Sequence, residues 1–316
     1  MWLESAKREK LLKVLKGWIR TGKRGSTGIP LGDFESTIVK IWHAFQSIPA
    51  GCGLLSPCNH VLKKRPPYVY LQQNVAVIAA VEGRRTLLLE STKEPTRCRE
   101  SVSGWPDYIR IVDASGHGVG GVVFGELSNC TPVVFRWEWP ADIKNNIVLS
   151  SNPTGGLTNS DLEMAGLLML WLFLKGVCPS LREKCVTLFS DNSPTVSWVT
   201  RLASRKSLVV EHLVQALVLR LKTMHACALT PLHIEGKQNA IANVPLRSFG
   251  SIPAWACASN TDLLNLFNSR FPLPQQKSWT VYRPNCEVVM RVIFALRMKP
   301  FILGDWRRLP TRGRCV

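Results

Sequence analysis

One stretch, Tyr108 to Gly125, limits what this chain can fold into more than any other. An apolar, β-branched run carries a single carboxylate, Asp113, near its end. It then turns through a glycine-rich tip (Ser115, Gly116, His117, Gly118) and returns as a second β-branched run. That pattern predicts a β-hairpin whose first strand is buried. An Asp in a buried strand is costly unless a charge partner or a metal compensates it. Taken alone, Asp113 is equally a polar residue in a strand-end turn. Two carboxylates downstream fall in matching places.

The first is Glu163. A helix opens at Thr158-Asn159-Ser160 and runs to about Lys175. It is apolar nearly all round from Met164 to Leu174, so it is expected to be buried on more than one side. Glu163 lies in its first turn, where Ser160-x-x-Glu163 has the form of a capping box and Asp161 complements the helix dipole. The second is Asp191, which follows the short strand Cys185–Phe189 and precedes a helix started by Pro194. Capping is the local role open to Asp191. If the strands of Asp113 and Asp191 are neighbours, their backbones lie about 4.8 Å apart. Both carboxylates then aim at one point, and a helix crossing that edge adds Glu163. Three convergent carboxylates repel one another unless divalent cations sit between them. Two metals about 4 Å apart activate a water and stabilise a leaving oxygen in phosphodiester cleavage.

The remaining pattern is mixed α/β. Residues 1–20 form a basic amphipathic helix with Leu11, Val14, Leu15, Trp18 and Ile19 on one face and Lys7, Lys10, Lys13 and Lys16 on the other. Such a helix lies on a membrane surface or docks on its own domain. Asp33 to Ser47 reads as a helix ended by Ile48-Pro49-Ala50-Gly51. Leu54 to Pro67 reads as irregular, and Gln73 to Leu89 as helical. Thr92 to Arg99 has a linker composition, which puts a boundary near residue 100. After the hairpin come a strand over Thr131 to Trp139 and a loop over Pro140 to Gly156. The helix of Glu163 and the strand of Asp191 follow. A long amphipathic helix then spans Leu208 to His225, a last strand Ala228 to Ile234, and a short helix follows Gln238. The division expected is 1–100 helical, 101–250 α/β and 251–316 a basic tail with Pro272, Pro274, Pro284, Pro300 and Pro310.

Charge bears on the partner. The net charge is +18. Residues 1–100 hold 17 Lys and Arg against 8 Asp and Glu, and residues 261–316 hold 10 against 3, whereas residues 101–260 hold 13 against 11. A nearly neutral centre between basic flanks suits a metal site fed by polyanion-binding flanks. The ten cysteines contain no Cys-x-x-Cys pair, and Cys52, Cys58 and His60 match no common zinc spacing. Free thiols and the absence of a secretory signal point to an intracellular setting, cytoplasm or nucleus. The longest apolar run, Met164 to Leu174, is too short to cross a bilayer, so no membrane partner is expected.

Four segments carry a family resemblance: Val112-Asp113-Ala114-Ser115 with its glycine-rich turn, Leu157 to Glu163, Phe189-Ser190-Asp191-Asn192, and His233 to Asn243. In order and spacing over residues 105–250 the chain resembles the ribonuclease H domain of retroelement polyproteins, especially gypsy-like and DIRS-like elements. The resemblance implies a ribonuclease H-like fold, a five-stranded mixed sheet with helices on both faces. It implies a Mg²⁺-dependent endonuclease, with two ions and Mn²⁺ as an alternative, that cuts the RNA strand of an RNA–DNA hybrid. Asp113, Glu163 and Asp191 match the family's first three metal-binding carboxylates. Ser115, Thr158, Asn159, Asn192 and Lys237 match positions that face nucleic acid.

The fourth position departs. The family pattern ends Gly-Lys-x-Asn-x-x-Ala-Asp, and this chain has Ala242-Asn243. Asn243 offers an oxygen without a charge, and Pro245 intrudes in the helix that carries it. His233 reads as a strand residue. Residues 1–100 resemble the thumb or connection segment that precedes this domain, through Ile41 to Gly51. The chain contains no Asp-Asp pair, so the polymerase palm is missing and a palm of the same polyprotein is an implied partner. The expected origin is a C-terminal piece of such a polyprotein. Two alternatives stay open: a silent nucleic-acid-binding module of the same fold, favoured by Asn243, and an integrase- or transposase-like nuclease. The latter needs a late catalytic Glu, and between Asp191 and Gly250 only Glu211 and Glu235 are available.

Overall fold

The computed structural model describes residues 4–24, 28–45, 54–93, 104–125, 132–178, 181, 183–204, 207–221, 228–249, 257, 259–274, 277–297 and 314–315. The boundary expected near residue 100 and the helix-ending Ile48 to Gly51 lie outside the described residues.

The chain begins with helices α1 (Ser5–Arg24), α2 (Leu31–Phe45), α3 (Ser56–Lys64) and α4 (Val75–Lys93). A short antiparallel ladder joins β1 (Ile29–Pro30) to β2 (Tyr68–Val69). Leu11 and Leu15 of α1 are buried, and Trp18 stacks on Phe34 of α2 with ring centroids 5.1 Å apart. The apolar stripe of α1 therefore docks on its own chain, and Lys10, Lys13, Lys16 and Arg20 face solvent.

The strands and helices that follow build an α/β layer. They are β3 (Tyr108–Ala114), β4 (Gly118–Gly125), β5 (Val133–Glu138), α5 (Ala141–Lys144), α6 (Asn159–Val177), β6 (Cys185–Ser190), α7 (Ser193–Arg201), α8 (Leu208–Arg220), β7 (Ala228–His233), α9 (Ala240–Arg247), α10 (Asn260–Arg270), β8 (Thr280–Arg283), α11 (Cys286–Leu296) and β9 (Arg314–Cys315). The sheet order is β7-β6-β3-β4-β5-β8-β9. β3, β4 and β5 form an antiparallel meander, and β6 and β7 join it in parallel through crossovers. β8 pairs in parallel with β5.

Each face of the sheet is covered. On one side α6 lies over β3 and β4, with α8 and α11 packed on α6. On the other, α9 lies over β4, and Val122, Val134, Val244, Leu263, Phe267 and Trp279 share a core with α10. Strand alternation explains the split, since neighbouring residues such as Val122 and Val123 enter opposite cores. Arg110 also points to the α6 side. It is fully buried, with its guanidinium 4.5 Å from the Trp171 ring.

Three local expectations are corrected. Leu54 to Pro67 is not irregular, because α3 occupies it: Pro57 sits in the first turn, where proline costs no helix hydrogen bond, and Pro66 follows the left-handed C-cap Arg65. The sheet is wider than five strands, because β8 adds to the edge of β5 with Val281 and Tyr282 buried. Pro274 and Pro284 stand outside that strand. Pro245 does not break α9, which runs through it to Arg247. No helix among the described residues is long and apolar enough to cross a membrane.

Candidate metal centre

β3 and β6 are adjacent and parallel, with Ile111 opposite Phe189. Two residues further on, Asp113 and Asp191 therefore sit at the same level, at the carboxyl ends of neighbouring strands. In open α/β sheets that edge is where ligands bind. Asp113 is opposite Gly120 of β4, so the two share a sheet face. A Cβ on Gly120 would lie 2.4 Å from the Leu246 backbone nitrogen. α9 thus roofs the face from which Asp113 projects. Arg136 of β5 holds the far end of that helix, donating to the Ser248 hydroxyl (2.7 Å) and to the Cys257 carbonyl (3.1 Å).

Glu163 arrives from the opposite side of the sheet on α6, whose cap differs from the sequence expectation. Thr158 is the N-cap, and Asp161 completes the capping box with its carboxylate 2.7 Å from the Thr158 backbone nitrogen. Shifting the frame by two residues frees Glu163 from capping. Gly166, one turn later, lets α6 approach closely, since a Cβ there would meet Val119 at 2.7 Å. Asp191 is freed in the same way: the N-cap of α7 is Asn192, whose side chain accepts from the Thr195 backbone at 2.9 Å.

Asp113, Glu163 and Asp191 each present a carboxylate oxygen, and these oxygens lie within 4.8 Å of one another. Asp113 and Glu163 are buried, and Asp191 is half-buried. Glu163 Oε2 is buried with no hydrogen-bond partner, an orphaned acceptor that a cation satisfies. Burial raises the Asp113 carboxyl from 3.8 to about 7, the charge on Asp191 adds to the rise, and Arg247 opposes it. Burial likewise holds Glu163 well above its usual range, reinforced by Asp113 and then Asp191. This buried acidic cluster could hold a metal ion, because hard oxygen donors suit a hard divalent cation.

The acids open into a cavity of about 630 Å³. Of the residues expected to face nucleic acid, Ser115, Asn159 and Asn192 line it, and Asn243 lines it beside the acids. Thr158 and Lys237 do not: Thr158 spends its hydroxyl on the capping box, and Lys237 is exposed on the turn before α9. Asn243 directs its amide N–H to the Asn239 carbonyl at 2.9 Å, so that group stays within the helix. His233 ends β7 with its ring Nε2 3.1 Å from the Asp191 carbonyl. Five further lining residues stand outside the predicted set: Ala114, His117, Gly236, Leu246 and Arg247. Arg247 follows Asn243 by four residues and shares its helix face, a signal available in the sequence. His117 comes from the hairpin tip, where nothing in the sequence distinguishes it. Gly236 also borders the site, where a Cβ would lie 3.1 Å from Asp191 Oδ2.

Compared with protein-family models and with curated proteins, the chain matches none.

Proposed function

We propose that this chain is a ribonuclease H-like nuclease of retroelement type, which cuts the RNA strand of RNA–DNA hybrids with Mg²⁺ at Asp113, Glu163 and Asp191. The observation that carries the proposal is the meeting of three carboxylates from β3, α6 and the β6–α7 junction, with one buried oxygen left unpaired. The oxygen-only donor set suits Mg²⁺ or Mn²⁺. When bound, such ions supply charge to activate water and to steady the leaving oxygen of a phosphodiester.

The chain's own residues do the rest. Asp113 holds position within β3, and Asp191 directly follows β6. Glu163 is set by a capped helix, so the ligand geometry costs little reorganisation. Asn159 at the rim offers its amide to a phosphate backbone or a ribose hydroxyl, whereas Asn192 caps α7 and donates to Ser160, which leaves it one N–H for a ligand. Arg247 adds a cation on the α9 side. The exposed basic face of α1 and the excess of Lys and Arg in the flanks fit a polyanionic substrate. With no Asp-Asp pair in the chain, polymerisation is left to a partner palm of the same polyprotein.

Cleavage of end-labelled RNA in an RNA–DNA hybrid, compared with duplex DNA of the same sequence, tests the proposal. Mg²⁺-dependent cutting of the hybrid alone, lost in Glu163→Gln, is expected. Cutting of duplex DNA would favour the integrase-like nuclease. A folded parent that binds hybrid without cutting it would favour the silent module, the reading to which the uncharged Asn243 points.

A further inference from the structure

A second cavity, of about 310 Å³, lies where α3 and the start of α4 meet the first turn of α8. Val61 and Val77 give it apolar walls, and Glu211 reaches it from α8. Its polar groups are out of balance. Glu211 Oε1 is buried and accepts no hydrogen bond, and the hydroxyl of Ser204, itself 3 % exposed, has no partner either. Ser56 has one hydroxyl proton, and it points 2.8 Å to the Ser204 carbonyl. Asn74 spends one N–H on the Tyr70 carbonyl at 3.0 Å, which leaves its carbonyl oxygen and its second N–H over. Among the described lining residues there is no Lys or Arg. Ser204, Asn74 and His60 can each donate as well as accept, so the unmatched demand is that of the Glu211 carboxylate, which only accepts.

Such a site rejects anions by charge and rejects purely apolar ligands, which would leave the carboxylate unpaired. A carboxylate is matched best by a planar fork of parallel N–H donors, and apolar side walls suit a flat body. We propose that this cavity binds a compact planar group bearing paired N–H donors, either a guanidinium or the N1–H and N2–H edge of guanine. Burial raises the Glu211 carboxyl from 4.5 to about 7. Paired donors would restore its charge.

The test uses the full-length chain, calorimetric titration, and three probes: methylguanidine, guanosine and inosine, the last lacking the N2 amine. Saturable binding of methylguanidine, or of guanosine in preference to inosine, supports the site and tells which source it takes. Glu211→Gln puts an amide where the acceptor stood and is expected to weaken that binding roughly tenfold or more, the scale of a hydrogen bond to a charged group. Melting curves establish that the variant is folded. Should it not fold, Ala76→Leu fills the cavity from α4 and is expected to abolish binding. The proposal is overturned if neither methylguanidine nor guanosine binds the parent. It is also overturned if binding to a folded Glu211→Gln, or to Ala76→Leu, equals that of the parent.

Discussion

Alanine at Gly120 would separate the seat of α9 from the carboxylates beneath it. The added Cβ would lie 2.4 Å from the Leu246 nitrogen, 2.9 Å from its Cα and 3.0 Å from the Ala242 carbonyl oxygen. All three are backbone atoms, so no side chain can rotate away. Ordinary contact begins near 3.4 Å, so α9 must retreat by about 1 Å. Overpacking of this kind costs about 1–3 kcal/mol. The retreat carries Asn243 and Arg247 away from Asp113 and leaves Asp113, Glu163 and Asp191 on their own elements. A misplacement of about 1 Å can cost about 100-fold in rate. Gly120→Ala is therefore expected to lower urea-unfolding stability by about 1–3 kcal/mol and to reduce hybrid cleavage far more than Mg²⁺ affinity. Gly17→Ala is the control: nothing lies within 4 Å of a Cβ there, and the position is exposed in α1. It should gain about 0.5–1 kcal/mol. If Gly120→Ala were as stable as the parent and cleaved equally fast, α9 would not be seated on β4 as described.

Other outcomes follow from the same geometry. Asn243→Asp adds a carboxylate to the cavity, and Mg²⁺ should bind more tightly in calorimetry; unchanged affinity would remove position 243 from the metal centre. Without divalent metal, stability should fall as the pH rises from about 4 to about 7 and then level off. Over that window the unfolded Asp113 is ionised, while the folded one, with its carboxyl near 7, keeps its proton. Urea midpoints in chelator should show this slope, flattened in Asp113→Asn; equal slopes in parent and variant would contradict it. Replacing Lys13, Lys16 and Arg20 with Gln should make the plot of log K against log salt for hybrid binding shallower by about 2–3, and an unchanged slope would clear α1 of phosphate contacts.

The part of the site legible in the sequence was the part set by strand alternation. An Asp at the end of a buried strand and another after a parallel strand fall at the same sheet edge by register alone. Helix frames were less legible. Both Ser160 with Glu163 and Thr158 with Asp161 satisfy a capping pattern. The second prevails in a structure where Ser160 accepts from the Asn192 amide at 3.2 Å instead. Prolines misled twice. Pro57 opens α3 and Pro66 follows its cap, and Pro274 and Pro284 flank β8, yet in sequence the first region reads as irregular and the second as a tail, because proline marks an element's border as well as its absence. Arg110 within an apolar strand gave no sign of its burial, which depends on Trp171 arriving from α6.

The central claim is that Asp113, Glu163 and Asp191 form one metal centre, and anomalous scattering from crystals grown with Mn²⁺ tests it most directly. A peak is predicted about 2.0–2.6 Å from oxygens of all three carboxylates, absent in crystals of Asp113→Asn. Crystals of the parent with Mn²⁺ bound only elsewhere, or with the same peak retained in Asp113→Asn, would contradict it.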